Sequence, residues 1–135
     1  MNPVMSEIVK RKGLADYYYD NYKKYRDLKK YNKASEFLWG ALNNLVYALG
    51  VVYGEKVSSH KKVKEFINNL SAICNKPELA KLFAESAEVL HANFYHDFLD
   101  EDSFKVHEEN MEKLLEMLSK ILSEELEKRG TSLDI

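Results

Sequence analysis

The chain has 135 residues, 45% apolar and 31% charged, with a formal net charge of −2 at pH 7. That length suits one domain around one core, and that composition excludes a disordered or low-complexity chain. Five Gly and two Pro argue against a turn-rich β fold, and the single cysteine, Cys74, excludes an internal disulfide or a cysteine-based zinc cluster. The longest apolar run, residues 45–53, is too short to cross a bilayer, and residues 1–7 lack the apolar stretch of a signal peptide. A cytoplasmic helical protein with no membrane contact is expected.

Apolar residues recur at helical spacing throughout. The first helix is predicted from about Pro3 to Lys30, with Ile8, Ala15, Tyr18, Tyr22 and Tyr25 inward. Tyr31-Asn32 breaks that run, with Asn32 as N-cap of the second helix. This segment is the most apolar, burying Ala34, Phe37, Leu38, Ala41, Leu42, Leu45, Ala48, Leu49 and Val52, so it should be central. Gly54 suits the left-handed position past its end. Ser58 or Ser59 caps a third helix that buries Val63, Phe66, Ile67, Leu70 and Ile73. Pro77 fits the first turn of a fourth, which buries Leu79, Leu82, Phe83, Leu90 and Phe94. After an acidic break at 97–102, the fifth helix runs to about Arg129, with Phe104, Met111, Leu114, Leu115, Leu118, Ile121 and Leu122 inward. Short connections make neighbours antiparallel, so the expected fold is all-α: an up-and-down bundle of four to five helices. Residues 1–130 form its one domain and 131–135 a frayed tail.

Charge is unevenly spread. Residues 1–33 hold nine Lys/Arg against four Asp/Glu, while residues 101–135 hold five against ten. The basic first helix either lies beside the acidic last one or meets a polyanion.

The densest polar cluster is Leu90-His91-Ala92-Asn93-Phe94-Tyr95-His96-Asp97. Its imidazoles, amide and phenol suit proton transfer or phosphate contact. His91 and His96 are five residues apart, about 140° around an ideal helix, so they cannot chelate one metal. They converge only if the helix ends before His96 or a second subunit completes the site. Otherwise His91 and Tyr95 are packing residues and His96 a helix cap. His107 is spaced as a packing histidine or as a third member of this group. Ser58-Ser59-His60-Lys61-Lys62 opens the third helix; lysines there oppose the helix dipole unless an anion binds. The tyrosines at 17–19, 22, 25 and 31 are either an aromatic core stripe or a base-stacking surface. No Gly-rich phosphate loop, nucleophile elbow, HExxH or EF-hand loop is present. Only Glu88-x-x-His91 fits a di-iron pair, where two are needed, so no metal and no cofactor is expected.

Tyr31-Asn32-Lys33-Ala34-Ser35-Glu36-Phe37-Leu38-Trp39, followed much later by Leu90-His91-Ala92-Asn93-Phe94-Tyr95, resembles the archaeal PaREP family, itself similar to the HEPN superfamily. The Ser59-His60 step also resembles a HEPN loop. The resemblance implies a bundle that forms a homodimer. Many HEPN domains are metal-independent RNases, often toxins, whose site uses an Arg, four to six residues, then a His. Here His96 matches the His, His91 stands where the Arg would be, and Phe98 replaces a Tyr found in some relatives. An always-charged guanidinium has become a titratable imidazole. The resemblance thus implies a module with a degenerate site that binds a nucleotide or RNA, through His91, His96, Asn93, Tyr95, His60, Lys61 and Lys62. Its alternatives are an RNase with His96 as base and His91 as acid, and an antitoxin or adaptor that meets its partner through the acidic fifth helix.

Overall fold

The structure, a computed structural model, describes residues 2–130. The expected tail at 131–135 lies outside them. Every regular element is helical: α1 (Pro3–Asp27), α2 (Tyr31–Val52), α3 (His60–Ile73), α4 (Pro77–Leu82), α5 (Glu88–His96) and α6 (Glu101–Lys128). A π-helical turn, Phe83–Ala87, joins α4 to α5. These last three segments run on without a break, so the bundle has five helical rods. None is long and apolar enough to cross a membrane.

The apolar α2 is central, as its composition requires, and packs against α1, α3, α5 and α6. Leu38, Leu42, Val46, Ala48 and Leu49 are fully enclosed. Burying each of these Leu and Val chains is worth about 1.5–3 kcal/mol. The inward residues of α6 from Phe104 to Leu122 follow the expected stripe.

Helix ends depart from expectation at the first turn. α1 stops at Asp27, and Lys29 takes the left-handed conformation with φ 59°. Lys30 N–H then reaches back to the Tyr25 carbonyl at 2.9 Å. That closure satisfies carbonyls left over at the helix end, so the chain turns before Tyr31 and Asn32 is no N-cap. Asn75 closes α3 in the same way, and Gly54 closes α2 as its type predicts. Ser59, of the two candidate serines, caps α3 by accepting the Lys62 N–H at 3.2 Å.

Five expected core residues are not enclosed. Ile73, the last residue of α3, is 73% exposed. Tyr18, Tyr25, Phe37 and Phe94 are only half-buried. Phe94 is displaced because Asn93 takes the inward position, fully enclosed. The π turn sets this register: Glu88 N–H bonds the Phe83 carbonyl five residues back, so one extra residue is fitted into the rod. Ser86 on that turn faces α6, where its hydroxyl accepts from Asn110 at 2.9 Å and meets His107 Nδ1 at 3.0 Å. His107 is therefore a packing histidine, and burial lowers its pKa.

The basic and acidic helices do meet. Tyr19 donates to Glu112 at 2.6 Å, Tyr22 donates to Glu108, and Arg26 lies 3.6 Å from Glu108. Tyr18 and Tyr25 pack on Phe37, and Tyr31 on Phe104. Among this group only Tyr17 is largely exposed, so the tyrosine run is mostly a packing stripe.

Candidate functional site

The site begins with a loop. Residues 54–59 leave α2 and fold back over it so tightly that a Cβ on Gly50 would meet Val57 Cγ2 at 2.6 Å and the Glu55 carbonyl at 2.7 Å. Glycine at 50 therefore lets the loop deliver the Ser59 cap, and the first turn of α3, against the middle of α2. His60 follows that cap directly.

There it meets Trp39 of α2 and His91 of α5. The His91 ring is stacked on Trp39, with centroids 4.3 Å apart and planes at 26°. His60 lies 5.2 Å from Trp39 and 5.0 Å from His91. Tyr95, one turn beyond His91, stands edge-on to it at 5.4 Å. Glu88, one turn before, brings Oε1 within 2.6 Å of His60 Nε2. That contact is close but misaligned, and Glu88 Oε1 makes no hydrogen bond among the described residues. His91 Nδ1 is buried without a hydrogen-bond partner too. Burial, with His60 beside it, lowers the pKa of His91, and Glu88 opposes that shift. The neutral ring of His91 is thereby favoured over the imidazolium.

Trp39, His60 and His91 line a pocket of about 440 Å³, within the range of small-ligand sites. Arg11 of α1 and Asn43, Asn44 and Tyr47 of α2 line it too. The Arg11 guanidinium lies 3.8 Å above the Tyr47 ring, is 3.4 Å from Asn44 Oδ1 and pairs with Glu7 at 3.0 Å. Asn43 Oδ1 is buried without a partner. The pocket thus offers two aromatic faces, a held guanidinium and two imidazoles. That is the chemistry of anion contact and base stacking. Among the described residues, no group of three His, Cys, Asp or Glu is placed to hold a metal.

The expected site residues separate. His60, His91 and Tyr95 come together. Asn93 instead has its amide in the core: Nδ2 donates to Ser35 at 3.0 Å, and Oδ1 accepts Phe98 N–H at 2.8 Å and Leu99 N–H at 2.9 Å. It anchors α5 to α2 and shapes the turn into α6. His96 is the exposed last residue of α5 and does not line this pocket. Since α5 stays helical through His96, nothing turns that ring back towards His91. Lys61 is exposed beside Glu65, and Lys62 lines a separate surface depression with Glu55 and Glu65.

Sequence reasoning passed over Trp39, Asn43 and Tyr47, although spacings of four residues put them on one face of α2. It also passed over Arg11, one of only three arginines. The Glu88–His60 approach joins residues 28 apart in sequence on two rods, and no local pattern signals it.

Compared with known proteins, the chain matches the model of the archaeal PaREP1/PaREP8 family over residues 10–115, and it belongs to that family. No curated protein and no solved structure matches it.

Proposed function

We propose that this PaREP1/PaREP8-family bundle is a binding module for a nucleotide or a short single-stranded RNA segment, acting as a homodimer. The observation that carries the reading is the stacked Trp39–His91 pair with His60 at 5.0 Å, opening on a pocket that also holds Arg11. A base can stack against the rings that line the pocket while a backbone phosphate meets Arg11 and the imidazoles; each stacked base contributes about 1–3 kcal/mol. The imidazole at position 91, where the HEPN-like motif would have arginine, fits binding better than RNA cleavage. A titratable imidazole holds its charge less firmly against a developing phosphorane than a guanidinium does, and His96, the base of an RNase pair, does not line the pocket.

Dimerisation is supported by exposed apolar residues at one end of the bundle: Leu28 after α1, Tyr95 and Phe98 around the end of α5, and Val106 on α6. Contact of Tyr31 with Phe104, rings 4.8 Å apart, holds the α1–α2 turn beside the start of α6.

The test is fluorescence of Trp39, the single tryptophan, during titration with oligouridylate at low salt. Saturable quenching is expected, with affinity reduced about tenfold or more in Arg11→Ala and in His91→Ala. No response to oligouridylate or to mononucleotides would remove the reading. Cleavage of the RNA in the presence of a chelator would make the site an RNase instead.

A further inference from the structure

We infer that the pocket takes up one proton when it binds a phosphodiester anion, and that His91 receives it. The inference rests on the binding reading above and adds how that site is regulated.

The groups facing His91 decide this. From α3 comes His60; from α5 come Glu88 and Tyr95; from α1 comes Arg11, across the pocket. The α2 wall supplies Trp39, Asn43, Asn44 and Tyr47, none charged at neutral pH. Two carboxylates beside the pocket are engaged elsewhere: Glu7 pairs with Arg11 at 3.0 Å, and Glu88 Oε1 lies 2.6 Å from His60 Nε2, while His91 Nδ1 is buried without a hydrogen-bond partner. No carboxylate lines the pocket to balance an imidazolium at position 91, and the His60 ring lies 5.0 Å from it. Burial and His60 both favour the neutral form of His91, consistent with that count. A diester brings the missing negative charge. Once it lies against His91, the charged form of the ring is favoured, and one proton passes from solvent to the imidazole. No covalent bond changes.

By linkage, the ligand then binds more tightly as pH falls through the window between the free and bound titrations of His91. Uridylyl-uridine is the suitable probe, because its single diester charge is constant across that window. Calorimetry near neutral pH in two buffers of different ionisation enthalpy should give uptake approaching one proton. Affinity should fall by up to tenfold per pH unit on raising pH. In His91→Gln, which keeps a polar side chain but no titrating group, the slope should vanish. A direct measurement covers the case where that variant binds too weakly. The His91 ring resonances should titrate at higher pH in the saturated protein than in the free one. Binding of uridylyl-uridine with no proton exchanged and an unmoved His91 titration would overturn the inference while leaving the binding reading intact. No binding at any pH would overturn both.

Discussion

Of the seams in this bundle that carry buried polar groups, two are finished differently. Between α1 and α6, the Tyr19 and Tyr22 hydroxyls each donate to a carboxylate, and Arg26 reinforces the second pair. Burial first, then the carboxylate partner, raises both tyrosine pKa values, so these phenols stay protonated at any physiological pH. Between α2, α3 and α5, His91 Nδ1 and Asn43 Oδ1 lack partners and Glu88 Oε1 is only poorly met. The first seam is built to hold, with Glu112 Oε1 its single buried atom left over. The second spends less on internal bonding and leaves a pocket. A buried polar group without a partner costs about 1–3 kcal/mol, and two of these, His91 Nδ1 and Asn43 Oδ1, belong to residues that line the pocket, which supports the proposed binding there.

The sharpest way to break the contrast is to attack a fully bonded residue beside the open seam. Asn93→Ala strands two backbone N–H groups and the Ser35 contact. It should cost about 3 kcal/mol or more, lowering the thermal midpoint by roughly 10 °C. A midpoint unchanged in calorimetry would show that Asn93 does not anchor α5. Next comes Gly50→Ala, which forces the α2–α3 loop off α2. A cost of about 1–3 kcal/mol is expected in urea denaturation, together with weaker ligand binding, because His60 moves with the loop. Tyr22→Phe leaves Glu108 with Arg26 alone and should cost about 1.5 kcal/mol with no effect on binding.

Smaller again is a pH effect. The folded-state pKa of His91 and that of His107 lie below the ordinary imidazole value. In that interval the unfolded chain binds more protons than the folded one, so stability is full above about pH 6.5 and declines as pH falls through the window. Urea midpoints measured from pH 7.5 to 5.5 should fall, and fall less in His107→Gln. Midpoints that rose on acidification would show the opposite shift. The smallest expected effect is that of His96→Ala, which should leave both stability and ligand affinity unchanged.

The helices and the central place of α2 were readable because burial imposes a 3.6-residue repeat on the sequence, and α2 is apolar on nearly every face. Helix ends were read less well. Lys29 adopts a left-handed turn without glycine or asparagine, which local preference argues against and packing overrides. The π turn left no mark either, since Phe83–Ala87 is composed like ordinary helix and the extra residue follows from how Ser86 meets α6. Half the site was visible as the polar string around His91. The other half required knowing that a loop carries His60 across α2 to Trp39, a tertiary fact. Asn93 was misread for a related reason: a buried amide and a ligand-binding amide look alike until their partners are seen.

The account stands or falls on the pocket walled by Trp39, His60 and His91. Histidine ring spectra of the full chain, recorded during addition of oligouridylate at low salt, test it most directly. Saturable shifts are expected at His60 and His91, with His96 and His107 unmoved. Shifts confined to His96, or none at all, would contradict it.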